Sequence, residues 1–100
     1  MKTFQKKVLN LLTKIPKGKI TTYKIIAQKL NTKAYRAVGN ILNKNKDPIN
    51  YPCYKVIKSN GKIGGYSNGI KNKIKLLKKA GLKIKENKIK NFKEYLFFFK

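Results

Sequence analysis

Apolar residues first recur at helical spacing: Phe4, Val8, Leu11, Leu12 and Ile15 share a face after a possible Thr3 cap, until Pro16 and Gly18 stop the run. This predicts a first helix over residues 4–14. Thr21 or Thr22 can cap a second helix whose apolar stripe is Tyr23, Ile26, Ala27 and Leu30. Asn31-Thr32 reads as a tight turn that recaps a third helix carrying Ala34, Ala37, Val38, Ile41 and Leu42. Two short helices joined by a tight turn make a helix-turn-helix candidate over about residues 21–43. The small residues Ala34, Ala37 and Gly39 permit close approach, either to the partner helix or to a DNA backbone.

Between Asn43 and Pro52 the periodicity vanishes, and Asp47-Pro48 marks a loop. Cys53 to Ile57 is short and apolar-rich, and Asn60-Gly61 favours a tight turn, so a small hairpin is expected there. The run from Gly64 to Gly69 is too rich in glycine for regular structure. Ile70, Ile74 and Leu77 then begin a helix that Gly81 can close. Leu82 and Ile84 lie before Glu86-Asn87 and Ile89 after it, which predicts a second short hairpin. The end, Tyr95 to Phe99, is too apolar to float free and should dock on the core. No internal repeat or linker interrupts the chain, and its length suits one domain: helix-turn-helix about 21–43, loop and hairpin about 45–69, last helix and tail 70–100.

Charge narrows the class of partner. The 26 Lys and Arg face only Asp47, Glu86 and Glu94, a net +23, so nucleic acid is the expected ligand and the affinity should fall steeply with salt. Compositional drift toward Lys, Ile and Asn is the competing account of the lysines, but it does not explain the scarcity of acids. No stretch reaches the length of a membrane span and no leader pattern is present, so a soluble intracellular protein is expected. One cysteine excludes an internal disulfide, and the absence of histidine excludes a Cys/His zinc site and any histidine acid/base chemistry.

Cys53 has two readings. An isolated cysteine is most often a buried, inert small hydrophobe. In the context Pro48-Ile49-Asn50-Tyr51-Pro52-Cys53-Tyr54-Lys55-Val56-Ile57, with a cationic neighbour such as Lys55 favouring a thiolate, it is a nucleophile. Arg36 is the sole arginine among the cations, so a guanidinium is required there; stacking or a phosphate contact would both use it.

The segment around Cys53 resembles the alkylguanine-DNA alkyltransferase (methylated-DNA--protein-cysteine methyltransferase) family. So do Ile15-Pro16-Lys17-Gly18, Thr22-Tyr23, Ile26-Ala27, Tyr35-Arg36-Ala37-Val38-Gly39, and Gly65-Tyr66-Ser67-Asn68-Gly69 with Lys73 and Leu76-Leu77. The resemblance covers about residues 4–81 in order, with a tail like that of some microbial members, and it extends to the catalytic domain only, the N-terminal domain of larger members having no counterpart. It implies a mostly α fold with small β-hairpins, a winged-helix-like helix-turn-helix domain.

It also implies a function: flipping O6-alkylguanine out of duplex DNA and transferring the alkyl group irreversibly to Cys53, once per molecule. The roles follow by resemblance. Arg36 fills the gap left by the flipped base, with Ala37 and Gly39 on the same DNA-binding helix. Tyr23 presses on the phosphate beside the target, unless it is a plain core tyrosine. Asn45 ties the binding helices to the active-site loop. Pro48, Tyr66, Ser67 and Val56 line the base pocket, Ser67 donating to the guanine oxygen and the carbonyls of Cys53 and Val56 accepting from the exocyclic amine. Lys73 is either a pocket lysine or one more solvated charge. No cofactor or metal is implied, and the expected partner is double-stranded DNA containing O6-alkylguanine, bound by a cytoplasmic monomer that is nucleoid-associated when on DNA.

Two members of the family's activating relay are replaced. Tyr54 stands where the histidine after the acceptor cysteine belongs, and Ala80 where a glutamate precedes the closing glycine; Lys46 replaces a loop proline. Tyr54 can pass a proton but is a poor base at neutral pH. These departures keep open an alkyltransferase-like protein that binds the lesion and flags it for excision repair without transfer. A basic regulator reading sequence through its helix-turn-helix is the third class, and it leaves the segment at Cys53 without a purpose.

Overall fold

A computed structural model describes residues 2–47, 49–65 and 69–99, the side chain of Lys2 excepted. Helix α1 spans Lys2–Leu12 and tightens through Thr13, Lys14 and Ile15, whose amides reach back three residues, before Pro16 ends it. Strand β1, Thr21–Thr22, runs straight into α2, Tyr23–Lys29, where the Thr22 hydroxyl accepts from the Ile25 amide at 3.0 Å. Of the two candidate caps, Thr22 is the one used; Thr21 is buried with its hydroxyl unpartnered.

Asn31 closes α2 in the left-handed conformation, φ 56°. The Asn31 amide bonds Gln28 O at 3.1 Å and the Thr32 amide bonds Ala27 O at 3.0 Å, the pair of bonds that satisfies the last carbonyls of a helix and turns the chain sharply. Helix α3, Tyr35–Asn43, follows, so the turn expected at Asn31-Thr32 is there. Thr32 caps the turn rather than the helix, accepting from the Ala34 amide at 3.1 Å.

The hairpin expected at Cys53–Ile57 is not formed. Cys53–Lys55 is a 3-10 turn, and strand β2, Val56–Ile57, pairs in parallel with β1, Thr21 opposite Val56 and Thr22 opposite Ile57. Parallel pairing needs a crossover, and α2 with α3 supplies it. The Asn60-Gly61 turn does form, closed by Lys58 N to Lys62 O at 2.8 Å; its far arm bridges Lys62 to Lys88 instead of returning to β2.

Helix α4, Ile70–Lys79, ends at Gly81. Gly81 adopts φ +98°, which lets the Leu82 amide reach Leu77 O at 3.1 Å while the two leucines pack in one cluster. Strands β3, Ile84–Lys85, and β4, Lys88–Ile89, form the second hairpin as expected, and Glu86 and Asn87 both take positive φ, as a two-residue turn of matching twist demands. The tail docks: Ile20 N to Tyr95 O at 2.9 Å and Phe97 N to Ile20 O at 2.7 Å add Leu96 as a third strand beside β1.

This small parallel sheet divides the core. Successive strand residues face opposite sides, so Val56 joins a cluster with Val8, Leu12, Ile26, Val38 and Cys53, while Ile57 joins Ile20, Ile63, Leu77 and Ile89. The tail alternates likewise, Leu96 to the second cluster and Phe97 to the first. Cys53 and the helix-turn-helix therefore share one half of the core, with α4 and the hairpin in the other. Among the described residues no helix is long and apolar enough to cross a membrane.

Candidate active site

The outer face of α3 carries the exposed Tyr35, Arg36, Asn40 and Asn43, while Val38, Ile41 and Leu42 anchor it beneath. No acidic residue occurs anywhere in α2, α3 or the turn between them, so nothing on this face repels phosphate. A groove of about 510 Å³ opens beside it, lined by Tyr23, Tyr35, Arg36, Gly39, Asn43, Lys58 and Gly65. Ala37 is half-buried on the same helix.

Tyr23 is the part of the groove's wall that also reaches the cluster of Cys53. It is half-buried, it packs on the cluster that contains Cys53, and its phenol is held above the usual tyrosine range by burial and then by the charge of Cys53. Gly64 is shaped around it: a Cβ there would lie 3.1 Å from the Tyr23 hydroxyl, and φ is +71°.

Cys53 itself is 3% exposed and does not line the groove. It lies close enough to Tyr23 and Lys73 to act on the proton affinity of both. The cationic neighbour is Lys73 and not Lys55. Lys55 turns back to donate to Ile15 O at 2.9 Å, its ammonium 6.0 Å from the centre of the Tyr54 ring, and burial lowers its proton affinity.

Lys73 is fully buried, so it is not a solvated charge. Its Nζ donates to Val56 O at 2.6 Å and Gly65 O at 3.0 Å. Burial lowers its pKa to about 8, partly offset by Cys53. The signal was present in the chain: Lys73 precedes Leu77 by four residues on the face of α4 that must be buried.

Asn45, also buried, joins α3 to the Cys53 turn. Its Nδ2 donates to Tyr51 O at 2.7 Å, and the Cys53 amide donates to that same carbonyl at 2.8 Å; its Oδ1 accepts from the Asp47 amide at 3.0 Å. Asn45→Ala should lower unfolding free energy by about 2–3 kcal/mol, the cost of leaving buried backbone groups short of partners. Urea denaturation measures this, and a loss below about 0.5 kcal/mol would remove Asn45 as a strut.

The structure thus brings Tyr23, Arg36 and Gly39 to one groove and sets Cys53, Val56, Lys73 and Asn45 behind it. Tyr54 is not in that group: it packs against the second core cluster, whereas Cys53 belongs to the first. Its phenol is raised by burial, which makes it a still poorer base at neutral pH. Both carbonyls expected to read the guanine amine already have a protein donor, Val56 O from Lys73 and Cys53 O from the Val56 amide, and each keeps one lone pair. Pro48, Tyr66 and Ser67 lie outside the described residues. Tyr35, Asn43 and Lys58 line the groove without having been singled out; Asn43 sits seven residues after Arg36, two turns along the same face.

Residues 3–82 match the family described as 6-O-methylguanine DNA methyltransferase, DNA binding domain. The chain is 47% identical over 89 residues to a bifunctional methyltransferase/endonuclease of Picrophilus torridus, aligning 88% of this chain and 30% of that protein. It is 49% identical over 83 residues to a methylated-DNA--protein-cysteine methyltransferase of Saccharolobus islandicus, aligning 83% of this chain and 54% of the relative. The chain therefore spans about half the length of such curated relatives, or less. Among solved structures, S. pombe Atl1 bound to DNA containing O6-carboxymethylguanine superposes with TM-score 0.85 at 29% identity, covering 97% of this chain and 96% of Atl1. The O6-methylguanine-DNA methyltransferase of Pyrococcus kodakaraensis gives 0.71 at 44% identity, covering 78% and 46%. Fold, groove and sequence converge, and the chain belongs to the O6-methylguanine DNA methyltransferase family through its DNA-binding domain.

Proposed function

We propose that the chain repairs DNA by drawing O6-alkylguanine out of the duplex and taking the alkyl group onto Cys53. The observation that carries this reading is that Tyr23 lines the groove together with Arg36 and also packs on the buried cluster that holds the one thiol. The cationic face of α3 grips phosphates, Arg36 occupies the gap in the stack, and the extruded base enters past Tyr23 and Gly64. Because Cys53 is 3% exposed, the wall has to open as the base arrives, which keeps water from the thiol until the substrate is seated. Pro48, Tyr66 and Ser67 complete the pocket in this reading, and Ala37 lets α3 lie close to the backbone. The substrate is double-stranded DNA, met by a monomer in the cytoplasm or on the nucleoid, and no cofactor takes part.

A second reading has its own observation: Atl1 matches nearly the whole chain, tail included, where the transferase structures match about three quarters. In that reading the lesion is bound and flagged without transfer. Incubation with duplex DNA containing one O6-methylguanine separates them. Transfer predicts a single mass gain of one methylene, localised to Cys53 and stoichiometric. Tight, lesion-selective binding with no mass change would establish the flagging reading in its place.

A further inference from the structure

The match to the family domain ends at residue 82, and the hairpin of β3 and β4 lies beyond it. Its two faces differ. Ile84 and Ile89 pair across the strands and pack into the second core cluster. Lys85 and Lys88 form the next pair, and the bond from Lys90 N to Lys83 O at 2.8 Å continues the register on the other side of the isoleucines. Side chains alternate along a strand and cross-strand partners share a face, so Lys83, Lys85, Lys88 and Lys90 stand on the face opposite Ile84 and Ile89, and all of them are exposed. A further segment adds to that face. Exposed Lys62 bridges Lys88, with Ile63 N bonded to Asn87 O at 3.0 Å and Ile89 N to Gly61 O at 2.9 Å. In that pattern the paired residues exchange no bond with each other, which brings their side chains closest, the Cα atoms about 4.5 Å apart. Lys62, Lys88 and Lys85 therefore form one row across the strands.

We propose that this lysine face is a second phosphate-binding surface, which holds the backbone of the bound duplex outside the groove of Arg36. The inference rests on DNA as the partner and is independent of alkyl transfer.

For the chain alone the arrangement is unfavourable, because like charges directly opposite one another destabilise a sheet. A single lysine on an edge strand suffices to block pairing with another chain; here each lysine of the hairpin meets another across the strands. The acids of this half of the core are Glu86, in the turn, and Glu94, in the 3-10 segment Phe92–Tyr95, and among the described residues neither forms an ion pair with the face. A polyanion relieves the repulsion, and duplex DNA carries one negative charge per ~1.7 Å of its axis.

The face also adjoins the groove. Lys58 lines the groove, and its amide donates to Lys62 O at 2.8 Å. Cationic residues thus follow one another from Arg36 through Lys58 and Lys62 to Lys88 and Lys85. That continuity assigns the face to the duplex already seated on α3 and not to a separate one.

The test changes Lys83, Lys85, Lys88 and Lys90 together to Gln and measures binding to a duplex of about 25 base pairs with a central O6-methylguanine as salt is raised from about 0.1 M. Each phosphate contact contributes about 0.9 to the slope of log affinity against log salt. Loss of two or more contacts should flatten the slope by about 1.8 or more and weaken binding at about 0.1 M salt at least roughly 50-fold, with the two chains converging toward about 1 M. The loss should be the same on unmodified duplex, since phosphate contacts carry no sequence information. The variant should melt no lower than the unaltered chain at low salt, its repulsion being gone, which separates lost contacts from a lost fold. If it does melt early, Lys85→Gln with Lys88→Gln decides, with a flattening of about 0.9 or more expected.

A companion variant takes the exposed Lys71, Lys75, Lys78 and Lys79 of α4 to Gln, the same change in net charge. Its slope should move less than about half as far. Equal flattening in the two variants would overturn the proposal in favour of the general field of the chain, and an unchanged slope in the hairpin variant would overturn it outright. Two duplexes bound per unaltered chain, falling to one in the hairpin variant, would overturn the assignment to a single duplex. An unaltered chain that binds no duplex would instead remove DNA as the partner, and with it the function proposed above.

Discussion

A Cys53→Ala chain is expected to form no S-alkyl product at all, while its affinity for duplex DNA containing O6-alkylguanine stays within a few-fold of the unaltered chain. No second thiol exists to take over, and the chain has no histidine. Binding should survive because its residues are elsewhere: Arg36, Gly39 and Asn43 line the outer groove, and Cys53 does not. Folding should survive as well. Removing one sulfur from a packed site costs about 1 kcal/mol, and the turn is held by backbone bonds to the carbonyls of Tyr51 and Pro52 and by the Asn45 side chain, all of which the substitution leaves in place. Intact-mass and peptide mass spectrometry after incubation with the lesion duplex measure the first half, and equilibrium binding the second. Alkyl product elsewhere on the variant would mean that Cys53 is not the acceptor. Loss of binding together with transfer would mean that the thiol, or the shape it fills, is part of recognition.

The second large effect concerns the wedge. Arg36→Ala should slow repair of duplex substrate by roughly 100-fold, because the flipped state loses the stacking that offsets extrusion costs of a few kcal/mol. Reaction with free alkylguanine base, which has no stack to leave, should change less than about threefold. Arg36 is exposed on the first turn of α3, so the fold should not notice, with stability altered by less than about 0.5 kcal/mol. Arg36→Lys should fall between, since an ammonium is compact and strongly hydrated where a guanidinium is flat and sheds water readily. Equal losses on duplex and free base would show that Arg36 acts in the pocket rather than in the stack.

Helices, turns and the docking of the tail were legible in the chain because their causes are local. The stripe Val8, Leu11, Leu12 and Ile15, the cap at Thr22, the left-handed Asn31 and Gly81, and the Glu86-Asn87 turn each act over a few residues. Strand partners are another matter. Asn60-Gly61 announces a turn and the turn forms, but whether Val56 pairs forward or back to Thr21 depends on a crossover of more than thirty residues. No local pattern encodes that choice, and the parallel pairing was not foreseen.

The site divides the same way. Which side chains can do chemistry was decided by the sequence alone: one thiol, one guanidinium, no histidine, and a basic helix-turn-helix free of acids. Which of them meet was decided by the parallel sheet. A strand sends consecutive residues to opposite faces, so β2 placed Val56 with the helix-turn-helix and Ile57 with the other half of the core, and the 3-10 turn before it divided Cys53 and Tyr54 in the same way. It also brought a lysine from α4 under the carbonyl of Val56. Residue type is written locally, whereas burial and proximity, which set a group's charge and its partners, arise only when distant segments close on one another.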